Sequence, residues 1–252
     1  SPIRTCPVHG IPLYRTIHRS YAERFQDMAL VAPDYGALIR LVEGADTRPV
    51  SPLQRYVEDR LDGKGGPAWL DGQQIDLGTR ASEMIGACLL HGAHVDLPTL
   101  SEDQWAAAGA AGFEHAARGD EGIRSALDEL FCRLRRDEGK GGPQAAFGRL
   151  FQWLQFNKSS KARGPIREVV RESILDSMPI EPGTRLLGEV VETRRRHSVA
   201  TLAKLKKLHR KTLNRALVLT GLIPQGDPDR VDAHHFFDAV AGELLADRIH
   251  AS

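Results

Sequence analysis

Helical spacing is the sequence feature that most restricts the fold. Apolar residues recur at intervals of three and four along most of the chain, and alternating β-branched runs that would specify a sheet are few. Candidate helices run from Pro52 to Asp62, Thr79 to His91, Ser101 to Ala117, Asp120 to Arg136, Gln144 to Phe156 and Pro165 to Met178, with more helix after His197. The pattern predicts an all-α fold.

Local chemistry marks the ends of several of these helices. Ser101 and Gln104 have the spacing of a capping box, in which each side chain satisfies a backbone N–H of the first turn. Pro165 suits a first helical position, and Pro179 stops the same helix after Met178. A polar, basic stretch at 157–164 predicts a boundary between a helical domain at 36–157 and a basic helix-turn-helix domain at 158–252.

Charge is almost balanced over the whole chain but is unevenly distributed. There are 34 lysines and arginines against 33 acidic residues. Residues 158–215 hold fifteen basic and six acidic residues, whereas residues 216–252 hold two and six. The positive charge is therefore concentrated where it could meet phosphates.

Two predicted helices inside the basic domain have the pattern of a helix-turn-helix. The first follows Ser198, which caps it, and has Leu202 and Leu205 directed inward and the small Ala203 at the helix crossing. Leu208 fills the turn, where Lys206 and Lys207 stand in place of the usual glycine, so either the turn differs slightly or Lys207 takes a left-handed conformation. The recognition helix spans 209–221, with Leu213, Ala216 and Leu217 forming its apolar stripe.

The opposite stripe predicts a DNA-contacting surface. Phosphate contacts are expected from Lys204, Lys206, Lys207 and Lys211. Base contacts are expected from Arg210, Asn214 and Arg215, with His209 on the same stripe, because Arg pairs bidentately with guanine and Asn with adenine. The alternative is a merely solvated face, but residues 197–226 contain no acidic residue, whereas a solvated face normally mixes signs.

Cysteine and histidine suggest metal chemistry at one place. Cys6 and His9 have the spacing of half a zinc site, and no second ligand pair lies nearby in the sequence. We interpret Cys88 with His91 and His94 as structural, with Cys88 in the core, and His234 and His235 likewise. The chain starts at Ser1 without Met, directly before Cys6, which we interpret as a chain lacking its start.

Enzyme motifs and membrane segments are not evident in the sequence. It contains no phosphate-binding loop, nucleophile elbow or His-Glu-x-x-His pattern, although scattered carboxylates could still converge in space. No stretch approaches a membrane span, no secretory leader is recognisable, and three widely spaced cysteines fit a reducing compartment. These features predict a non-enzymatic, cytoplasmic protein.

Four segments together resemble the TniQ family of transposition proteins. Residues 6–13 (CPVHGIPL) are similar to the closing half of its zinc ribbon. The resemblance continues through 100–113 (LSEDQWAAAGAAGF), 147–154 (FGRLFQWL) and 197–203 (HSVATLA), followed by the recognition helix. It implies a remnant of a small zinc ribbon within residues 1–35 and a structural Zn held in part by Cys6 and His9.

The resemblance also implies a function and partners. The chain would be a bacterial accessory factor of DNA transposition that helps choose the target site on double-stranded DNA. It would recruit the transposon AAA+ ATPase and the transposase, form a homodimer and dock onto an RNA-guided complex. Two alternatives stay open: an adaptor that docks on a ribonucleoprotein or protein without reading DNA, and a helix-turn-helix transcription regulator.

Overall fold

The computed structural model describes residues 2–13, 35–136, 141–156, 164–224 and 235–251. Most of these residues are helical, and two small antiparallel sheets accompany the helices. The helices are α1 (Tyr35–Glu43), α2 (Pro52–Leu61), α3 (Ala68–Asp71), α4 (Ile75–His91), α5 (Glu102–Ala116), α6 (Gly119–Arg136), α7 (Pro143–Gln155), α8 (Ile166–Ser177), α9 (Val199–Lys206), α10 (Arg210–Leu219) and α11 (Ala239–His250). The strands are β1 (Arg185–Leu186), β2 (Glu189–Val190), β3 (Arg196–Ser198) and β4 (Phe236–Asp238).

The predominantly helical architecture is confirmed, and the two sheets are additions to it. The prediction missed them because strands of two or three residues are too short to show an alternating pattern. The β1–β2 hairpin turns through Leu187 and Gly188, which both have positive φ angles, of 49° and 95°. The strands β3 and β4 are distant in sequence, and Arg196 lies opposite Asp238.

Helix boundaries largely follow the predicted signals. Gln104 N donates to Ser101 Oγ at 3.2 Å and Ser101 N donates to Gln104 Oε1 at 2.8 Å, which confirms the capping box. α8 begins directly after Pro165 and ends at Ser177, close to the predicted stop. α4 begins at Ile75, four residues earlier than predicted, and contains Gly78, which packs beneath the Leu70 side chain.

The helices α4 and α5 cross with their backbones in close contact. A Cβ atom added at Gly112 would lie 1.8 Å from the Ser82 carbonyl oxygen, and one at Gly86 would lie 1.7 Å from the Ala108 carbonyl oxygen. Backbone therefore rests directly on backbone at this crossing, which only glycine allows at these two positions. The two helices form a rigid platform for the N-terminal segment.

A first hydrophobic core joins α4, α6, α7 and α8. Its fully buried side chains include Ile85 of α4, Leu127 of α6, Leu150 of α7 and Ile174 of α8. The core extends through the β1–β2 hairpin as far as Val191. Residues of 166–191 thus share this core with α4, α6 and α7, because the amphipathic α8 buries its apolar face there; the boundary predicted at 157/158 falls on residues 157–163, which lie outside the described part.

A second, smaller core holds the basic part of the chain together. Leu202 of α9, Leu213 and Leu217 of α10, Phe237 of β4 and Ala246 of α11 are all at most 2% exposed. The second core therefore begins after β3, within a unit of three helices and one short sheet. No helix of the described ranges is long and apolar enough to cross a membrane.

Candidate functional site

The two helices that were predicted to meet at a turn do so. Ser198 caps α9 through a hydrogen bond from Thr201 N to its Oγ at 3.2 Å, and the Thr201 hydroxyl accepts from Ser198 N at 2.9 Å. Lys207 has φ 53° and ψ 36°, so of the two turn conformations that the sequence left open the left-handed one is present. Leu208 N donates to Ala203 O at 3.0 Å, so the turn is closed before α10 begins at Arg210.

An exposed cationic surface covers α9, the turn and the first part of α10. We call it the basic surface, and its members are Lys204, Lys207, His209, Arg210, Lys211 and Arg215. In the described ranges, no carboxylate lies within 4.0 Å of the charged groups of Lys204, Lys207, Arg210 or Lys211. Their charge is available for an external anion, since no neighbour there neutralises it.

Lys206 does not belong to this surface, although its sequence position suggested that it would. Its Nζ lies 2.7 Å from Asp247 Oδ1 and 3.8 Å from Glu243 Oε2, both on α11, and its side chain is 21% exposed. The hydrogen bond to Asp247 raises the pKa of Lys206 above its usual value. Lys206 therefore links α9 to α11. The sequence alone could not distinguish this role from that of the adjacent Lys207.

Asn214 and Leu205 also lie elsewhere than predicted. Asn214 is 1% exposed, on the buried side of α10, so it is not placed to reach base edges. Leu205 is 56% exposed rather than directed inward. The inward side of α10 is wider than predicted, because Asn214 is buried beside Leu213, while Leu202 and Ala203 fill the inward side of α9 without Leu205.

Thr212 is a surface residue that the sequence reasoning missed. It is exposed on the first turns of α10, three residues before Arg215, and carries both a hydroxyl and a methyl group. Its i, i+3 relation to Arg215 was the signal that could have identified it. Thr212 thus takes the place on the exposed stripe that had been assigned to Asn214.

A buried histidine secures the start of α9. His197 is 1% exposed, with Nδ1 3.0 Å from Thr201 Oγ1 and Nε2 3.3 Å from Glu243 Oε1. Burial lowers the pKa of His197 below its usual value, against the opposing effect of Glu243. At the other end of α9, His250 Nε2 lies 2.7 Å from Lys206 O. Both ends of α9 are therefore held by α11.

Cys6 and His9 lie on a tight turn of the N-terminal hairpin. Cys6 N donates to Ile11 O at 2.9 Å, Gly10 N donates to Cys6 O at 2.8 Å, and Gly10 has a φ of 67°. Cys6 Sγ and His9 Nδ1 are 3.3 Å apart. Tetrahedral zinc with usual bond lengths would separate such atoms by about 3.5 Å, so this pair fits two of four zinc ligands.

The hairpin is tied firmly to the α4–α5 platform. The guanidinium of Arg4, a residue only 6% exposed, donates to Glu83 Oε1 and to Glu102 Oε2, each at 2.8 Å. The buried Gln54 accepts from Arg4 N and Thr5 N at 2.9 and 3.0 Å, and donates to Thr5 O. The Cys6–His9 pair is thus presented on an ordered base.

None of the other cysteines and histidines within the described ranges joins it. Cys88 is fully buried in the first core, as predicted, and burial raises its pKa to about 11. His94 Nε2 lies 3.1 Å from Ala145 O, and His91 lies at the end of α4. His235 borders β4, while His234 lies outside the described residues. No group of three or more metal-ligating side chains occurs within the described ranges.

Comparison of the chain with protein-family models, curated proteins and solved structures gave no match. A function is therefore inferred from the geometry of the basic surface and of the Cys6–His9 turn.

Proposed function

We propose that the chain is a DNA-binding accessory protein of transposition, of the TniQ type. In this proposal α9, the turn at Lys207 and α10 form a helix-turn-helix, and α10 is the recognition helix that enters the major groove. The basic surface is the single observation that carries the proposal. It presents at least four cations without a carboxylate neighbour in the described ranges, on a helix that the second core holds in place.

Within this surface the expected roles differ by chemistry. Lys204, Lys207 and Lys211 would neutralise phosphates, because an ammonium group is a compact point charge. Arg210 and Arg215 would contact base edges, since a guanidinium can bond to O6 and N7 of guanine together. Thr212 would take over the third reading position, where its methyl group can meet a thymine methyl and its hydroxyl a base edge.

Zinc is part of the proposal at the N-terminal hairpin. The 3.3 Å between Cys6 Sγ and His9 Nδ1 fits a shared zinc ion, and the two remaining ligands would have to come from outside the described residues. A bound zinc ion would cross-link the hairpin to the segment that supplies those ligands. Arg4 already holds the hairpin on the α4–α5 platform and Gln54 holds it on α2, so Cys6 and His9 are oriented before any metal binds.

The partners follow from the resemblance and remain proposals. They are the transposon AAA+ ATPase and transposase, an RNA-guided complex and a second copy of the chain, in a bacterial cytoplasm. The two cores fit an adaptor. DNA contact would be confined to the surface of the unit around the second core, and the surface around the first core would serve protein contacts.

The test is the salt dependence of duplex binding, measured by fluorescence anisotropy from low to physiological salt. Three phosphate-contacting lysines predict a slope of log affinity against log salt of about −3. Lys207→Gln should reduce the slope by about 1, because it removes one phosphate contact. Its matched control is the adjacent Lys206→Gln, which loses the Asp247 pair and should leave the slope unchanged.

A slope near zero, or equal effects of the two lysine substitutions, would contradict the assignment. Competition between duplex DNA and structured RNA separates DNA contact from the ribonucleoprotein adaptor alternative, because an adaptor of that kind would prefer the RNA. Tight binding at the promoter of its own gene, without a response to the ATPase, would instead favour the transcription regulator.

A further inference from the structure

A second cationic feature lies away from the basic surface, where the two cores meet. A cavity of about 290 Å³ opens between α6, α8 and the β3–β4 sheet. Its lining includes Phe131 and Arg135 of α6, Asp176 of α8, Arg196 of β3, and His235 with Phe236 at β4. Residues that are far apart in sequence therefore converge on one depression.

The charge balance of this cavity favours an anion. The Asp176 carboxylate is already paired with Arg195, at 2.9 Å, and with Arg124, at 3.5 Å. Arg135 and Arg196 have no carboxylate within 4.0 Å among the described residues. Among the described lining residues, two positive charges thus remain after the Asp176 carboxylate has been neutralised.

The two guanidinium groups are also held in place while keeping donors to spare. Arg196 donates from Nε to Asp176 O at 2.7 Å, its only hydrogen bond to a described residue, which leaves its two terminal nitrogens for another acceptor. The Arg135 guanidinium lies 6.0 Å from the centre of the Phe131 ring, and that ring stacks on Phe236 at 6.3 Å. An arginine fixed by stacking or by one hydrogen bond loses less entropy when it binds an anion.

We propose that this cavity binds a phosphate group through Arg135 and Arg196. A planar fork of N–H donors matches the oxygens of phosphate, and the Phe131–Phe236 pair supplies an apolar wall against which a sugar or base could rest. The phosphate could be carried by a polynucleotide backbone or be a free phosphate, since both present the same oxygens. The inference goes beyond the proposed function and stands on this cavity alone.

The experiment follows the arginine side-chain Nε–Hε signals by NMR while phosphate probes are added to the whole chain. The probes are orthophosphate, a thymidine dinucleotide with one phosphodiester, and the same dinucleotide with an uncharged methylphosphonate linkage. We expect the Arg135 and Arg196 signals to shift at millimolar concentrations of a charged probe and to stay in place with the uncharged one. Tighter binding of the dinucleotide indicates a polynucleotide, and tighter binding of orthophosphate indicates a free phosphate.

Substitutions test whether both arginines are needed. Arg135→Gln should weaken binding at least about tenfold, since it removes a charge-assisted contact, and Arg196→Lys should weaken it because it keeps the charge but loses the fork. Arg55→Gln, at an exposed arginine of α2, is the matched control and should leave affinity unchanged. Signals that do not move with either charged probe, or an Arg135→Gln variant that binds as tightly as the wild type, would overturn the proposal. Arg135 is exposed, so its variant tests the site without disturbing the fold.

Discussion

Replacing Gly112 by alanine tests how closely the backbones of α4 and α5 approach each other. The new Cβ would lie 1.8 Å from Ser82 O, whereas ordinary contact begins at 3.4 Å, so the helices would have to separate by about 1.6 Å. The opposing atom is backbone, which means that no rotamer change can relieve the clash. Overpacking costs about 1–3 kcal/mol, and this site belongs at the upper end of that range.

A gain in helix propensity offsets part of this cost. Alanine is favoured over glycine in a helix by about 1 kcal/mol, which leaves a net loss of about 2 kcal/mol in the free energy of unfolding. For a chain of this size that corresponds to a Tm about 4–8 °C lower. Urea unfolding followed by tryptophan fluorescence is the suitable assay, because all three tryptophans, Trp69, Trp105 and Trp153, lie in helices α3, α5 and α7.

Gly78→Ala is the matched control on α4. The nearest atom to its added Cβ is the end of the flexible Leu70 side chain at 3.1 Å, so the gain in helix propensity should appear with little clash. We expect Gly78→Ala to be neutral or slightly stabilising. If Gly112→Ala were as stable as Gly78→Ala, the backbone-on-backbone contact would be disproved.

Three further perturbations address the anchors of the two functional regions. Arg4→Met should destabilise the protein by about 3–5 kcal/mol in urea titrations, because it leaves Glu83 buried without its main partner. Adding Glu83→Met should restore part of the loss. If the losses of the two single variants simply added, the ion pair would be contradicted. Because the folded pKa of His197 is lowered below 6.5, the native state takes up a proton less readily than the unfolded chain, so the free energy of unfolding should fall as pH drops below about 6.5. His197→Gln should lose this pH dependence, and an unchanged slope would contradict it. In the same urea titrations, Lys207→Gly should raise the free energy of unfolding by about 1 kcal/mol relative to Lys207→Ala, since glycine adopts φ 53° without strain.

The helices were predictable from sequence because their signals are local. The capping box at Ser101, the proline before α8 and the left-handed Lys207 each depend on neighbours within a few residues, and each is present. The short strands were not predictable, since β3 pairs with β4 about forty residues further along the chain and neither has a pattern of its own.

Six of the eight candidate DNA-contacting side chains are exposed, and the other two, Lys206 and Asn214, are held elsewhere by tertiary contacts. Sequence treated Lys206 and Lys207 alike, whereas only the position of α11 decides that Lys206 pairs with Asp247. Asn214 was predicted to contact bases because its amide can pair with adenine, but its side of α10 packs against the second core. The anchoring of the N-terminal hairpin by Arg4 and Gln54 depends on residues 50 to 98 positions apart, which no local pattern connects.

Strand β3, together with the residue before it, connects the two cores mechanically. Arg195 bonds to Glu172 and Asp176 of α8, and Arg196 bonds to Asp176 O, while the next two residues, His197 and Ser198, anchor and cap α9. The two cores are thus joined by a stretch of four consecutive residues that is pinned on both sides. A load applied to α9 would reach α8 through these contacts, so they help to set the angle between a ligand on the basic surface and the first core.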